Sequence, residues 1–414
     1  MNRSNLRVNG SRLWGRLMEM AEIGGTDAGG CNRQALTDED KAGRELFISW
    51  CRTAGCEVEA DQMGNLFARR EGRDSTLPPV LIGSHLDTQP TGGKFDGVYG
   101  VLAGLEIIES LNDQDVQTVH PIDVVAWTNE EGARFSPAMI GSGVFAGAFE
   151  LDYGLSRPAK DGVTIGDELR RIGFAGSRPC KATPIKAAFE AHIEQGPVLE
   201  AEKIQIGVVT GVQGMRWFDI EINGDPVHAG PTPMDRRRDP FMALHVIIER
   251  LYAMVANYAP QSRVTFGDIQ ATPGARNTVP EKVVLAIDIR HPQEEVLAKI
   301  DDAMRSIVKE ACAEKGLGSN VREEWQSEAI QFDAGCVSAV RSATELLGID
   351  AMDIVSGAGH DSVYVSRVAP TSMIFVPCEG GISHNESESA EPDDLAAGCN
   401  VLLHAVLRMS DAEK

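Results

Sequence analysis

The sequence predicts an α/β fold, a mixed central sheet flanked by helices, interrupted by a smaller α+β domain. Three observations carry this expectation. Short apolar runs, PVLIGSHLDT at 79–88 and IDVVAWTNEEG at 122–132, alternate with segments of helical period. Both runs finish in polar residues, and in open α/β sheets sites form at the carboxyl ends of the strands. Between about 212 and 328 the pattern changes to residues that alternate between apolar and polar, the mark of antiparallel strands.

Taken in order, residues 41–55 (KAGRELFISWCRTAG) carry apolar side chains at helical spacing, and 79–88 reads as a buried strand. Residues 98–111 return to helical period, with Val98, Val101, Leu102, Leu105, Ile108 and Leu111 on one side. A second buried strand follows at 122–132, and the sheet is expected to be largely parallel at its centre. The stretch 204–230 is strand-rich, with Phe218, Ile220 and Ile222 alternating with Asp219 and Glu221. An amphipathic helix at 240–257, strands at 263–270 and 283–290 and a helix at 294–315 complete the order β, β, α, β, β, α. DIVSGAG (353–359) and TSMIFVP (371–377) resume the α/β pattern, and a closing helix spans about 390–409. The expected organisation is one domain, 1–211 with 329–414, interrupted by another at 212–328.

Of the 414 residues, 43% are hydrophobic and 24% charged, an ordinary globular composition that excludes disorder for the bulk of the chain. The formal net charge of −22 argues against nucleic acid as a partner, because phosphate would meet an acidic surface. The opening MNRSNLRVNGSRLW has no apolar core of signal-peptide length, and no stretch approaches the roughly 18–20 apolar residues of a membrane helix. The eight cysteines form no CxxC pair, which fits reduced thiols in a cytoplasmic protein.

The chemistry lies in a few settings. His85 sits in GSHLDT, where Asp87 can accept its second ring N–H, the usual support of a metal-bound imidazole. Asp96 follows in GGKFDGVYG, whose glycines allow it to project back towards His85 or, alternatively, to cap the next helix. Glu130 and Glu131 are adjacent carboxylates at a strand end; they repel each other, and a cation resolves the repulsion. One can hold metal while the other takes a proton from water. The chain must turn there, which Gly132 permits. His192 ends another apolar run, and His384 lies in the glycine- and serine-rich turn GGISHNESE. Three histidines and carboxylates without a thiolate suit Zn²⁺, Mn²⁺, Co²⁺ or Ni²⁺ in a shared binuclear site. His120, His245, His291 and His404 lack polar company and read as structural.

GSHLDTQPTGGKFDGVYGVLAGLE, TNEEGARF, HIEQGPVLE, GDPVHAGPTPM, ARNTVPEKV, DIRHP, SGAGHDS and GGISHNESE, in this order, resemble the amidase/hydantoinase/carbamoylase family of dinuclear metallohydrolases across nearly the whole chain. That family includes N-carbamoyl-L-amino-acid hydrolases, β-ureidopropionases and allantoate amidohydrolases. Aminoacylase- and carboxypeptidase-like relatives usually have a carboxylate where His192 stands. The family commonly has alanine where this chain has Ser362.

The resemblance implies a zinc-exopeptidase-like catalytic domain with a lid and dimerisation insert of four strands and two helices. It implies two divalent ions per subunit, bridged by Asp96, with His85 and His192 completing one site and Glu131 and His384 the other. Glu130 is then the general base, and Gln195 lies near metals and substrate. His228, Asn277 and Arg290 bind substrate, with His228 reaching the partner subunit's site. Gly359 and His360 belong to a loop beside the substrate. The residues themselves leave alternatives: Arg290 as a strand arginine paired with Asp288, Asn277 as a turn residue, His228 as a buried strand-end histidine. The implied reaction converts an N-carbamoyl amino acid, α or β, to the amino acid, CO₂ and ammonia. Allantoate hydrolysis on the same scaffold and a non-catalytic ligand-binding homologue are the rival readings.

Overall fold

The computed structural model describes residues 3–411. Its strands are β1 (Glu57–Ala60), β2 (Leu66–Arg70), β3 (Val80–His85), β4 (Ile122–Trp127), β5 (Ala187–Ile193), β6 (Ile206–Val212), β7 (Gly214–Asn223), β8 (Arg263–Thr272), β9 (Lys282–His291), β10 (Gly318–Ser327), β11 (Ile330–Gln331), β12 (Ala351–Ser356) and β13 (Thr371–Val376). They form a nine-stranded and a four-stranded sheet. The chain divides into two compact units. One comprises the described residues up to Thr210 and from Phe332 onward, the other Gly211–Gln331.

The nine-stranded sheet, which belongs to the first unit except for β11 and the last two residues of β6, has the order β1-β2-β4-β3-β5-β13-β6-β11, with β12 also paired to β6. The centre is parallel: β3 pairs in parallel with β4 and β5, and β13 with β5. The flanks turn antiparallel, at β2 against β4 and at β6 against β13. β3, β4, β5 and β13 are buried along their whole length, as continuous apolar runs with both faces covered must be. Helix Val98–Asp113 is buried almost all round, and helix Pro392–Asp411 packs against it. His85 is the last residue of β3, and Thr128–Glu131 follow β4. His192 is next to last in β5. Thus three parallel strands deliver polar residues to one edge of the sheet, the position the α/β arrangement reserves for sites.

The second unit has the antiparallel order β10-β7-β9-β8, with helices Phe241–Ala256 and Glu294–Glu314. Phe218, Ile220 and Ile222 face Ile287, Leu285 and Val283 across the ladder, and this face packs against Leu244, Ile247, Ile300 and Met304. Strand reading of the insert needs two corrections. The strand at 206–212 pairs with β13 and extends the nine-stranded sheet. The fourth strand of the smaller sheet is β10, GSNVREEWQS, which is almost wholly exposed and carries no apolar alternation by which to recognise it.

Candidate metal centre

Asp96 is the hub. Its Oδ1 lies 3.2 Å from His192 Nε2 and 3.5 Å from His85 Nε2, and its Oδ2 lies 3.4 Å from His384 Nε2. His384 Nε2 is in turn 3.3 Å from Glu131 Oε2. The five residues therefore form two triads, His85–Asp96–His192 and Asp96–Glu131–His384, with Asp96 common to both. A tetrahedral cation with bonds of about 2.0–2.1 Å sets its ligand atoms about 3.3 Å apart, so the donor set fits two such ions.

The histidines are pre-aimed. His85 Nδ1 lies 2.8 Å from the carbonyl oxygen of Asp87, and His192 Nδ1 lies 2.9 Å from that of Ile193. A carbonyl only accepts, so each Nδ1 carries a proton and each Nε2 is the ring atom turned to Asp96; His192 Nε2 also lies 3.1 Å from the main-chain N of Gly97. For His85 this corrects the expected partner: the main chain of Asp87, not its carboxylate, takes the ring N–H. The Asp87 carboxylate accepts the main-chain N–H groups of Glu130 and Glu131 instead, each at 3.3 Å. That contact fixes the turn after β4, where Asn129 has φ +57° and Gly132 φ +64°. Gly97, at φ +70°, is required by sterics: a Cβ there would fall 2.3 Å from the His85 ring. Gly97 also heads the following helix with no side-chain cap, so Asp96 is not spent as a helix cap.

Electrostatics mark the cluster as built around positive charge. Burial alone would raise the Asp96 carboxyl, yet hydrogen bonds and charge from His192 and His85 hold it well below the usual range. Burial alone would lower His85, yet Glu130, Asp96, Asp87 and Glu131 raise it well above its usual value. Burial, reinforced by Asp96, pushes Glu131 up to about 8. Burial likewise raises Glu130, whose Oε2 is 3.6 Å from His85 Nε2.

Gln195, at φ +55°, donates from Nε2 to Asp96 Oδ2 at 2.8 Å, and its Oε1 is buried without a hydrogen-bond partner. His360 is buried and stands edge-on to His192, ring centroids 4.7 Å apart, with Nε2 2.9 Å from Ser356 Oγ. Burial and the neighbouring His192 lower its proton affinity well below the ordinary value, so it is a neutral wall behind a candidate ligand. Gly359, next to it, is half-buried, and a Cβ there would stand 3.1 Å from Met139 Cε.

In the second unit, His228 is exposed on a loop bridged to Thr278, rather than buried at a strand end. Asn277 is also exposed, and its carbonyl accepts the N–H of Ala229. Arg290 donates from Nε and Nη2 to Asp288, at 3.0 and 2.7 Å, so that pairing is present.

Three supports were not legible as such. Glu388 accepts the N–H groups of Phe95 and Asp96. Glu190, buried, accepts from Ser84 Oγ and from Ser362 Oγ, which gives a role to the serine that stands where alanine is common. Arg237 donates to the carbonyls of Ala229 and Thr232 and braces the loop of His228. Glu388 and Ser362 sit inside quoted motifs, which is the one signal the sequence offers for them.

Residues 81–408 match the model of the peptidase family M20/M25/M40. The chain is 48% identical to the N-carbamoyl-L-amino-acid amidohydrolase of Rhizobium meliloti over 410 residues, covering 98% of each. It is 31% identical to the allantoate amidohydrolase of Bacillus subtilis, over 94% of this chain and 95% of that one. Among solved structures, a hydantoinase/carbamoylase-family amidase from Burkholderia multivorans superimposes with a TM-score of 0.95 at 54% identity, covering 99% of this chain and 100% of that one.

Proposed function

The chain belongs to the peptidase family M20/M25/M40, metal-dependent enzymes that hydrolyse amide bonds, and from that premise we propose that it removes the carbamoyl group of N-carbamoyl amino acids. The observation that carries the reading is Asp96 shared between two ligand triads, with the buried Glu130 carboxylate beside one of them. End-to-end similarity favours the carbamoyl substrate over allantoate, 48% against 31% identity.

In this reading His85, Asp96 and His192 hold one divalent ion, and Asp96, Glu131 and His384 a second, of Zn, Mn, Co or Ni. When bound, the ions supply Lewis acidity that polarises the ureido carbonyl and eases deprotonation of water. Glu130 takes the proton of the attacking water and delivers it to the leaving amino nitrogen; burial raises its proton affinity as that role needs. The C–N bond to the amino acid breaks, and the carbamate released decomposes to CO₂ and ammonia. Gln195 steadies Asp96 through its amide, and its Oε1, buried without a hydrogen-bond partner, is the acceptor it offers to substrate. Arg290 and Asn277 bind the carboxylate, since a guanidinium fork matches a carboxylate's geometry. His228 donates to the developing oxyanion. The Gly359 loop, backed by His360, borders the substrate.

The second unit serves as lid and dimerisation domain, and His228 acts on the partner subunit's site; its exposure on a braced loop supports this. The protein works in the cytoplasm, supported by eight free cysteines. No described helix is long and apolar enough to cross a membrane. Ammonia release from a panel of N-carbamoyl-α-amino acids, N-carbamoyl-β-alanine and allantoate, by protein of known metal content, tests the reading. Turnover of allantoate alone would overturn it.

A further inference from the structure

We infer that the open face of the second unit's sheet carries a subsite for the α side chain of the substrate, built on Trp217 and Trp325 and suited to apolar and aromatic side chains. This rests on the carboxylate role proposed for Arg290 and adds the substrate class at that same site.

The two indoles are 45% and 39% exposed, and their ring centroids are 4.8 Å apart. The other face of the same strands is covered by helices, and its apolar residues are buried. Paired aromatic rings left in water amid polar residues mark a binding surface, since burying either ring against an apolar group is favourable.

Register ties this pair to the cation. Trp325 lies opposite Trp217, Trp217 lies opposite Asp288, and Met215 lies opposite Arg290. Along β9, Asp288 and Arg290 are two apart and so project from the same face as Trp217. Arg290 is therefore the diagonal neighbour of Trp217, at a separation of roughly 7–8 Å or less that long side chains span. Its guanidinium bends to Asp288, which is the Trp217 row of the ladder.

An N-carbamoyl α-amino acid bears its carboxylate and its side chain on one carbon. With the carboxylate on Arg290, the side chain leaves from a point next to the guanidinium, and the neighbouring row offers it two indole faces. N-carbamoyl-β-alanine has no side chain to place there, and its carboxylate lies one carbon further from the scissile nitrogen. The Trp217–Trp325 pair thus favours an apolar α side chain over a small or charged one, or over none.

The test uses metal-loaded enzyme and ammonia release, with kcat/KM measured for the N-carbamoyl derivatives of L-phenylalanine, L-leucine, glycine and β-alanine. The phenylalanine and leucine derivatives are expected to be turned over best. In Trp217→Ala the ratio of kcat/KM for phenylalanine over glycine should fall about tenfold, the scale of burying part of an aromatic ring. Trp217→Leu, which keeps an apolar surface and guards against misfolding, should lower the ratio less, and Trp325→Ala should act in the same direction. Equal losses on the phenylalanine and glycine derivatives overturn the subsite while leaving the carbamoyl reading intact. So does a wild-type preference for β-alanine, or a change of oligomeric state accompanied by equal losses. Absence of turnover on every ureido acid overturns both.

Discussion

The carboxylate of Glu388 accepts the main-chain N–H of Asp96 at 3.1 Å, across 292 residues of sequence, and that of Phe95 at 2.9 Å. Its second oxygen is 3.1 Å from Ser383 Oγ, which is itself 2.7 Å from Asp96 Oδ2. Glu388 thus grips both the backbone and, through a serine, the side chain of the residue shared by the two triads. Removing it in Glu388→Ala leaves two buried N–H groups unpaired, at about 1–3 kcal/mol each. Loss of such an outer support typically lowers metal affinity about 10–100-fold. Glu388→Gln keeps an acceptor oxygen for the two N–H groups and should lose much less. Elemental analysis after dialysis against a graded chelator distinguishes the two variants; equal metal retention in Glu388→Ala and wild type would refute the role.

Metal removal should cost both activity and stability. Asp96, Glu130 and Glu131 crowd one buried space, and bound cations favour the folded chain by mass action, about 4 kcal/mol at a thousandfold excess over Kd. Prolonged chelation should abolish ammonia release and lower the unfolding midpoint, and Mn²⁺, Co²⁺, Ni²⁺ or Zn²⁺ should restore both. Full activity in protein shown by elemental analysis to be metal-free would sink the mechanism.

The adjacent glutamates should separate cleanly. Glu131 Oε2 lies by His384 Nε2 within a triad, whereas Glu130 belongs to neither triad and sits beside His85. Glu130→Gln should keep bound metal and lose about 10²–10⁴ of kcat, the usual worth of general-base catalysis. Glu131→Gln should lose metal as well. Near-normal kcat in Glu130→Gln would reassign the base.

A pH effect is expected far from the metals. His404 is buried in helix Pro392–Asp411, and its Nε2–H donates to Leu6 O. Burial, with the nearby Arg7, lowers its proton affinity in the fold, although the Leu6 contact opposes this. Below about pH 6.5 the unfolded chain therefore binds more protons than the folded one. The stability from this group is complete above that pH and is lost as pH falls towards the folded value, at up to about 1.4 kcal/mol per pH unit. His404→Gln keeps an N–H for Leu6 and should flatten this part of the acid limb. Urea unfolding of both proteins at pH 7.5 and 5.5, at fixed metal, measures it; parallel losses would refute the assignment.

What the sequence could and could not reveal follows from the range of the interactions. His85 and His192 were legible because each closes a continuous apolar run, and Glu130–Glu131 because adjacent carboxylates at a strand end need a reason. The parallel centre followed from runs with no polar alternation. Glu388, Glu190 and Arg237 were not legible as supports, because each acts on partners that only the folded chain brings near. β10 escaped because an exposed strand has no hydrophobic period. The Asp87 carboxylate was assigned to the wrong neighbour because one residue offers two acceptors, and only the turn geometry decides between carbonyl and side chain.

Subunit exchange tests the lid and the carboxylate clamp together. Arg290 and His228 lie in the second unit, outside both triads, so Arg290→Ala and His228→Ala should each be folded, metal-loaded and inactive. Loss of the charged contact at Arg290 should cost about 2–5 kcal/mol of substrate or transition-state binding, the scale for truncating one partner of a buried charge pair. In the proposed arrangement Arg290 serves its own chain's site and His228 the partner's. A mixed dimer then has one site with Arg290 from the His228→Ala chain and His228 from the Arg290→Ala chain, both intact. Its other site lacks both. Random exchange of equal amounts makes about half the dimers mixed, so roughly a quarter of wild-type activity should return under two-fold symmetry. If heterodimers form, as mass spectrometry of differently tagged chains can establish, and no activity returns, then both residues serve the same site from one chain and the shared-site arrangement is wrong.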